Sequence, residues 1–396
     1  MKLSSRLNLF NEPETLKMAK LGRELRAKGV DVIDLSLGEP DFDTPEHIKN
    51  AAKQAVDENY SHYTPVPGYP ELRAAVCTKL KRDNGLDYKP EEVIVSTGAK
   101  QSLANAVLAV VDKGDEVVIP TPYWVTYSEI VKMAEGKVKL VRTSFENKYK
   151  ITPEELENAL SPQTRLFMFS SPSNPTGSVY SKEEIYALAE VFRKFPDVFI
   201  LSDEIYEYIN YGIGHTSIAE IEDLKPRVIL INGLSKGYAM TGYRLGYLAA
   251  DAAIVKACEK LQGQITSGTC SITQRAAITA LTADLKPTME MVKAFENRKK
   301  KIIGLMNEIE GINLVEPDGA FYVFPVVKSL FGKSAGDIVI NNSDDLCMYL
   351  LNTAHVSTVS GAAFGEPDCI RLSYATSEEK IESAMQRIKK AISALK

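Results

Sequence analysis

Between about residues 90 and 250, short runs of β-branched and aliphatic residues recur at 93–95, 116–119, 137–141, 166–169, 198–201 and 228–231, with amphipathic stretches between several of them. Alternation of strand-length apolar runs with helical patterns predicts a mainly parallel sheet covered by helices on both faces. The runs are nearly all apolar, as expected of strands buried on both sides. A helical pattern then runs from about Leu285 to Ile309, and beyond it strand signals at 319–324, 356–359 and 370–373 interleave with helical stretches near 344–352 and 377–395. These predict a smaller α+β domain. A helix over about 15–28 has no partner near it in sequence and is placed against that domain. The fold class is therefore α/β, with a large domain over 50–285 and a small one built from 1–49 and 286–396.

Composition changes this picture little. A chain of 396 residues, 44% hydrophobic and 25% charged, is an ordinary globular one with room for at least two cores. A formal net charge of −5 disfavours a broad nucleic-acid surface, which needs clustered Lys and Arg. The basic cluster Arg298-Lys299-Lys300-Lys301 reads as a solvated helix face. Five scattered cysteines, never spaced C-x-x-C, indicate neither a disulfide framework nor a zinc site, and the four scattered histidines suggest no metal site. The first residues, Met1 to Arg6, lead into mixed polar sequence, and no stretch approaches the ~18 apolar residues of a membrane span. The expectation is a cytoplasmic protein.

The candidate chemistry lies just past the strand-like runs. Asn232-Gly233-Leu234-Ser235-Lys236-Gly237 follows the run at 228–231 and sets one lysine in an uncharged stretch, ahead of Arg244. The same residues fit the G-x-S-x-G nucleophile elbow, but a hydrolase needs a later histidine, and the only one after Ser235 is His355, in an apolar run. The strand at 198–201 leads to Asp203, with Tyr206 three residues on, at the carboxyl end of a strand, where open α/β sheets bind ligands. A helix N-cap is the structural alternative for that aspartate. Ser96-Thr97-Gly98-Ala99-Lys100 opens a helix whose free N–H groups suit a phosphate, although it is no Walker loop. Trp124 and the turn Ser173-Asn174-Pro175-Thr176-Gly177 also follow strands, each with an unremarkable packing or turn alternative. Arg371, alone in an apolar strand, needs a partner, and a planar guanidinium suits a carboxylate unless the strand is a solvated edge.

Together these segments resemble the class I/II aminotransferases, pyridoxal-phosphate enzymes of fold type I, over essentially the whole chain. The match includes the small residues before Lys236 and the arginine eight positions after it. The resemblance implies that Lys236 forms an imine with the aldehyde of pyridoxal 5′-phosphate, and that Gly98, Ala99, Lys100, Ser235 and Arg244 surround its phosphate. Asp203 then faces the ring nitrogen and keeps it protonated, so that the ring withdraws electrons from the substrate's Cα. Tyr206 and the Asn174 amide reach the phenolate oxygen, with the Asn174–Pro175 bond expected to be cis. Trp124 lies on the ring, Arg371 grips the substrate's α-carboxylate, and Gly38, in Leu37-Gly38-Glu39-Pro40-Asp41-Phe42, lets backbone approach the substrate. Tyr63 resembles a tyrosine that crosses a homodimer interface to the neighbour's phosphate. Lys100 and Thr15 resemble the bacterial branch that handles dicarboxylic substrates, so the expected reaction is ping-pong transfer from aspartate or glutamate to a 2-oxo acid. Some members also accept prephenate. A lyase or decarboxylase on the same fold and a non-catalytic cofactor-binding protein are the alternatives.

Overall fold

The structure, a computed structural model, describes residues 3–12 and 14–396. Met1 and Lys2, part of the segment read above for targeting signals, lie outside the described residues.

Seven strands form the main sheet: β1 (Val93–Ser96), β2 (Glu116–Thr121), β3 (Lys137–Arg142), β4 (Thr164–Ser170), β5 (Phe199–Asp203), β6 (Val228–Gly233) and β7 (Gly246–Ala249). Their spatial order is β1-β7-β6-β5-β4-β2-β3, and only the pairings of β7 are antiparallel. The six runs read from the sequence are six of these strands. β7 went unread, and it makes the sheet mainly rather than wholly parallel.

The apolar runs are explained by two buried faces. Along β4, Phe167 and Phe169 join one core cluster while Leu166 and Met168 join the other, and β6 divides Val228 and Leu230 from Ile229 and Ile231 in the same way. The edge strand β3 differs, because Lys137, Lys139 and Arg142 interrupt it and leave it only partly buried. Charge on an edge discourages pairing with another chain. Two of the covering helices begin with reciprocal capping boxes, Thr152 with Glu155 and Ser181 with Glu184, which satisfy first-turn N–H groups.

Outside the main sheet lie helix α1 (Glu14–Ala27), the helices Lys286–Met306 and Glu378–Ser393, and an antiparallel three-stranded sheet of β8 (Tyr322–Val323), β9 (Val359–Ser360) and β10 (Ile370–Ser373). β10 is the middle strand, between β9 and β8. The run at 356–359 divides, since Val356–Ser357 pairs instead with Ile33–Asp34. α1 packs on this part of the molecule through Met18, which is 2% exposed, and through Gly22, which lies against Ser357.

The basic cluster corrects one expectation. Lys300 and Lys301 are on the solvated side, but Arg298 and Lys299 are buried, because Asp41 takes Arg298 in two bonds of 2.6 and 3.0 Å and Glu316 takes Lys299 at 2.8 Å. Among the described residues no helix is long and apolar enough to cross a membrane.

A buried ion pair fastens the helix Pro70–Asn84 beneath the segment that follows β5. Lys79 is 1% exposed and pairs with the buried Glu207, which also accepts a 2.9 Å bond from Asn84. Lys79→Met strands that carboxylate away from its cation, a change expected to cost ~3–5 kcal/mol. Urea denaturation or a thermal melt should show a clear loss of stability, and an unchanged midpoint would mean that Glu207 finds another counter-charge.

Candidate active site

Every strand of the main sheet except β7 points the same way, so the loops after β1, β2, β4, β5 and β6 emerge along one edge. That edge meets β8 and β10, and a cavity of about 300 Å³ lies between them. Lys236, Ser235 and Arg244 reach it after β6, Asp203 and Tyr206 after β5, Asn174 after β4, Trp124 after β2, and Ala99 and Lys100 after β1. Gly38 and Thr15 line it from the N-terminal segment, and Arg371 from β10. Gly98 stands beside it at φ +84°, where a Cβ would come within 2.4 Å of Arg244 Nη2. Tyr63 is not part of this cavity and is 99% exposed.

Arg371 is 1% exposed, so its charge is almost wholly removed from water. Nη1 donates to Asn174 Oδ1 at 2.9 Å and Nη2 to the Ser36 carbonyl at 2.5 Å, while Nε has no partner. No carboxylate forms a salt bridge with it among the described residues, and burial lowers its pKa. The edge-strand alternative is removed by its place in the middle of a sheet. The asparagine's carbonyl is committed to this arginine, which leaves its Nδ2 for other acceptors. The Asn174–Pro175 bond is cis, as expected.

Lys236 Nζ donates to the Gly38 carbonyl, and burial pulls its pKa down to about 8, with further lowering by Arg371 and Arg244. A lysine so placed presents a neutral amine far more readily than one in water. Asp203 shows the opposite pressure: burial raises its pKa to about 6, against donation from Tyr127 Oη to Oδ2 at 2.7 Å and from Ile205 N–H to Oδ1 at 3.2 Å. Tyr206 lies 2.7 Å from Tyr322, hydroxyl to hydroxyl. Lys100 Nζ sits 4.9 Å from the centre of the Trp124 ring, and partial desolvation, then Arg244's charge, lower its pKa.

The sequence model of the family aminotransferase class I and II matches residues 30–388. An aspartate/prephenate aminotransferase of Nitrosomonas europaea is 45% identical over 99% of this chain and 100% of its own length. The chain belongs to aminotransferase class I and II. An aspartate aminotransferase of Bacillus subtilis is 44% identical over 99% of both chains. Among solved structures, the aspartate aminotransferase of Rhizobium meliloti superposes with a TM-score of 0.96 at 41% identity over the whole of both chains. That of Thermus thermophilus, solved with maleate, gives 0.92 at 37% identity over 99% of this chain and 100% of its own. None of these relatives is named a lyase, a decarboxylase or a non-catalytic protein.

Aminotransferases of this class depend on pyridoxal 5′-phosphate, and the cavity's donor set fits that group. Among the described residues Asp203 forms no salt bridge, a place that a protonated ring nitrogen would fill, and Lys236 offers an amine of depressed basicity. Glycines keep room for the phosphate cradle: a Cβ on Gly246 would fall 2.2 Å from the Ala99 nitrogen, at the start of helix α2 (Ala99–Val110), where first-turn N–H groups have no intrahelical partners.

Three groups escaped the sequence reading. Tyr127 lies three residues after Trp124, in the first turn of helix α3 (Thr126–Met133), and both residues line the cavity. Tyr322 follows Phe321 in a strand run whose apolarity hid its hydroxyl. The Ser36 carbonyl is backbone, which no side-chain pattern reveals.

Asp203 supports a test of the cofactor-free enzyme. Its pKa of about 6 in the folded protein lies above the unfolded value of 3.8, so ionisation opposes folding, fully above pH 6 and hardly at all below about pH 4. Asp203→Asn should stabilise the cofactor-free protein by up to ~3 kcal/mol at pH 8, with the gain shrinking as pH falls toward 4. Denaturation curves at several pH values check this, and a pH-independent difference would refute it.

Proposed function

We propose that this aminotransferase takes the amino group from an acidic L-amino acid, aspartate in the first place, and passes it to a 2-oxo acid. The observation that carries the substrate reading is the buried Arg371 guanidinium, which forms no salt bridge among the described residues, in one cavity with a second cation, Lys100. A dicarboxylic amino acid supplies one carboxylate to each. The names of the relatives and the maleate, a dicarboxylate, in the Thermus structure support the same reading. Prephenate is the second candidate, favoured by the name of the Nitrosomonas relative, because its ring carboxylate could use Lys100 as well.

When bound, pyridoxal 5′-phosphate supplies an aldehyde carbon that bonds amines and a ring that accepts electrons from the substrate's Cα. The residues divide the remaining work. Lys236 Nζ would hold the cofactor between turnovers, and its amine, freed by the incoming amino acid, would carry the proton that leaves the substrate's Cα. Asp203 keeps the ring nitrogen protonated, and Tyr127 fixes the carboxylate that does so. Tyr206 and Asn174 Nδ2 donate toward the ring oxygen, and Trp124 covers the ring and excludes water. Gly98, Ala99, Ser235 and Arg244 hold the phosphate, with Lys100 beside them. Arg371 orients the substrate by its α-carboxylate next to Gly38, and Thr15 closes the distal end. A 2-oxo acid leaves and a second one enters, which gives ping-pong kinetics.

The enzyme is proposed to act as a cytoplasmic homodimer, with 50–285 as the cofactor-binding domain and the remainder as the small domain. A tyrosine as exposed as Tyr63 suits a dimer contact, where it would reach the neighbouring subunit's phosphate.

Lys236→Ala should abolish turnover and the visible absorbance of covalently held cofactor. A retained band would assign the attachment to another lysine. Lys100→Ala should lower kcat/KM for aspartate by ~10²-fold while sparing alanine, since a carboxylate deprived of its cation in a partly desolvated site loses several kcal/mol. A panel of amino donors against 2-oxoglutarate reads both. Equal losses for aspartate and alanine would assign Lys100 to the cofactor or the fold.

A further inference from the structure

Tyr322 stands where three parts of the site meet. Its side chain on β8 is completely buried, and its hydroxyl lies 2.7 Å from that of Tyr206. Its ring lies 4.6 Å from the guanidinium carbon of Arg371. Its hydroxyl also fills the space beside Gly38, whose carbonyl accepts the bond from Lys236 Nζ; a Cβ at position 38 would come within 2.2 Å of that oxygen.

We propose that Tyr322 is a positioning residue that turns the Tyr206 proton toward the cofactor's ring oxygen and holds the face of Arg371, so that cofactor and substrate-carboxylate sites share one support. The proposal rests on the reading of Tyr206 as a donor to that oxygen. A phenol carries one proton and can both donate and accept. Among the described residues the Tyr322 hydroxyl has Tyr206 as its hydrogen-bond partner, and a buried hydroxyl that does not donate leaves its proton unsatisfied. In the proposed arrangement Tyr322 donates and Tyr206 accepts, which commits the remaining proton of the pair to the cavity that both residues line. A donor that also accepts a bond is strengthened by ~10–30%. The ring acts separately, as the flat surface on which the guanidinium rests.

Four variants of the holoenzyme test this: Tyr322→Phe, Tyr322→Leu, Tyr206→Phe and the double Tyr206→Phe/Tyr322→Phe. Stabilising an anionic ring oxygen favours the deprotonated cofactor, so a weaker donor moves the pH midpoint of the visible absorbance upward. Tyr322→Phe should raise it by ~0.3–0.5 unit and Tyr206→Phe by about one unit or more, with no further rise in the double variant. Tyr322→Phe keeps the ring and should leave KM for aspartate close to the parent value, whereas Tyr322→Leu should raise it about five- to tenfold. A normal midpoint in Tyr322→Phe beside a shifted Tyr206→Phe would overturn the coupling and leave the donor reading intact. Normal midpoints in both would overturn the donor reading and the coupling with it. Additive shifts in the double variant would mean that Tyr322 does not act through Tyr206, which also overturns the proposal. If Tyr322→Leu fails to fold, the conservative Phe variant still decides.

Discussion

A guanidinium cannot shed its charge at any pH a protein meets, and Arg371 carries one into the interior with two neutral acceptors and, among the described residues, no salt-bridged carboxylate. Leaving a buried cation only partly compensated opposes folding, and the surrounding chain has to be held firmly enough to bear it. The acceptors come from distant places: the Ser36 carbonyl lies 335 positions away in sequence and Asn174 lies 197 away. The N-terminal segment, the turn after β4 and the small sheet are therefore all referred to one charge, with the rings of Tyr322 and Phe364 packed against its faces. In the proposed function an incoming carboxylate would complete what folding leaves unfinished, so that energy withheld from stability would become available for binding.

The main sheet performs the complementary task. Parallel strands end together, and their connecting loops can set a carboxylate, an amide, an indole and an amine around one volume while the backbone behind them stays hydrogen-bonded. Burial then drives the two titratable groups in opposite directions, Lys236 downward and Asp203 upward. Each is left closer to its neutral form than it would be in water.

What could be read from the sequence follows from these physical differences. Strands buried on both faces announce themselves as apolar runs, and six of them were legible for that reason. β7 was not, because Gly246-Tyr247-Leu248-Ala249 has a glycine where close approach to Ala99 requires one and an alanine at its end, which dilutes the β signal. The run at 356–359 was read as one strand because apolarity does not disclose that a chain changes partner between Ser357 and Val359. Cavity-lining residues were legible where local motifs carry them, as with Lys236, Asp203 and Asn174. The pairing of Asn174 with Arg371, the clamp of Tyr127 on Asp203 and the burial of Arg298 by Asp41 join segments far apart in sequence, and no local pattern encodes such contacts.

The fit between Gly38 and Tyr322 limits how this sequence can vary. With the hydroxyl present, a methyl group at position 38 has no room, since the gap is 2.2 Å. Without it, the nearest atom is the ring carbon Cζ at 3.2 Å, a crowded but tolerable distance. The two positions therefore form a one-way ratchet: phenylalanine at 322 can precede alanine at 38, but not the reverse. A combinatorial library that randomises position 38 alone will return glycine, and only one that also frees 322 explores the neighbouring sequences.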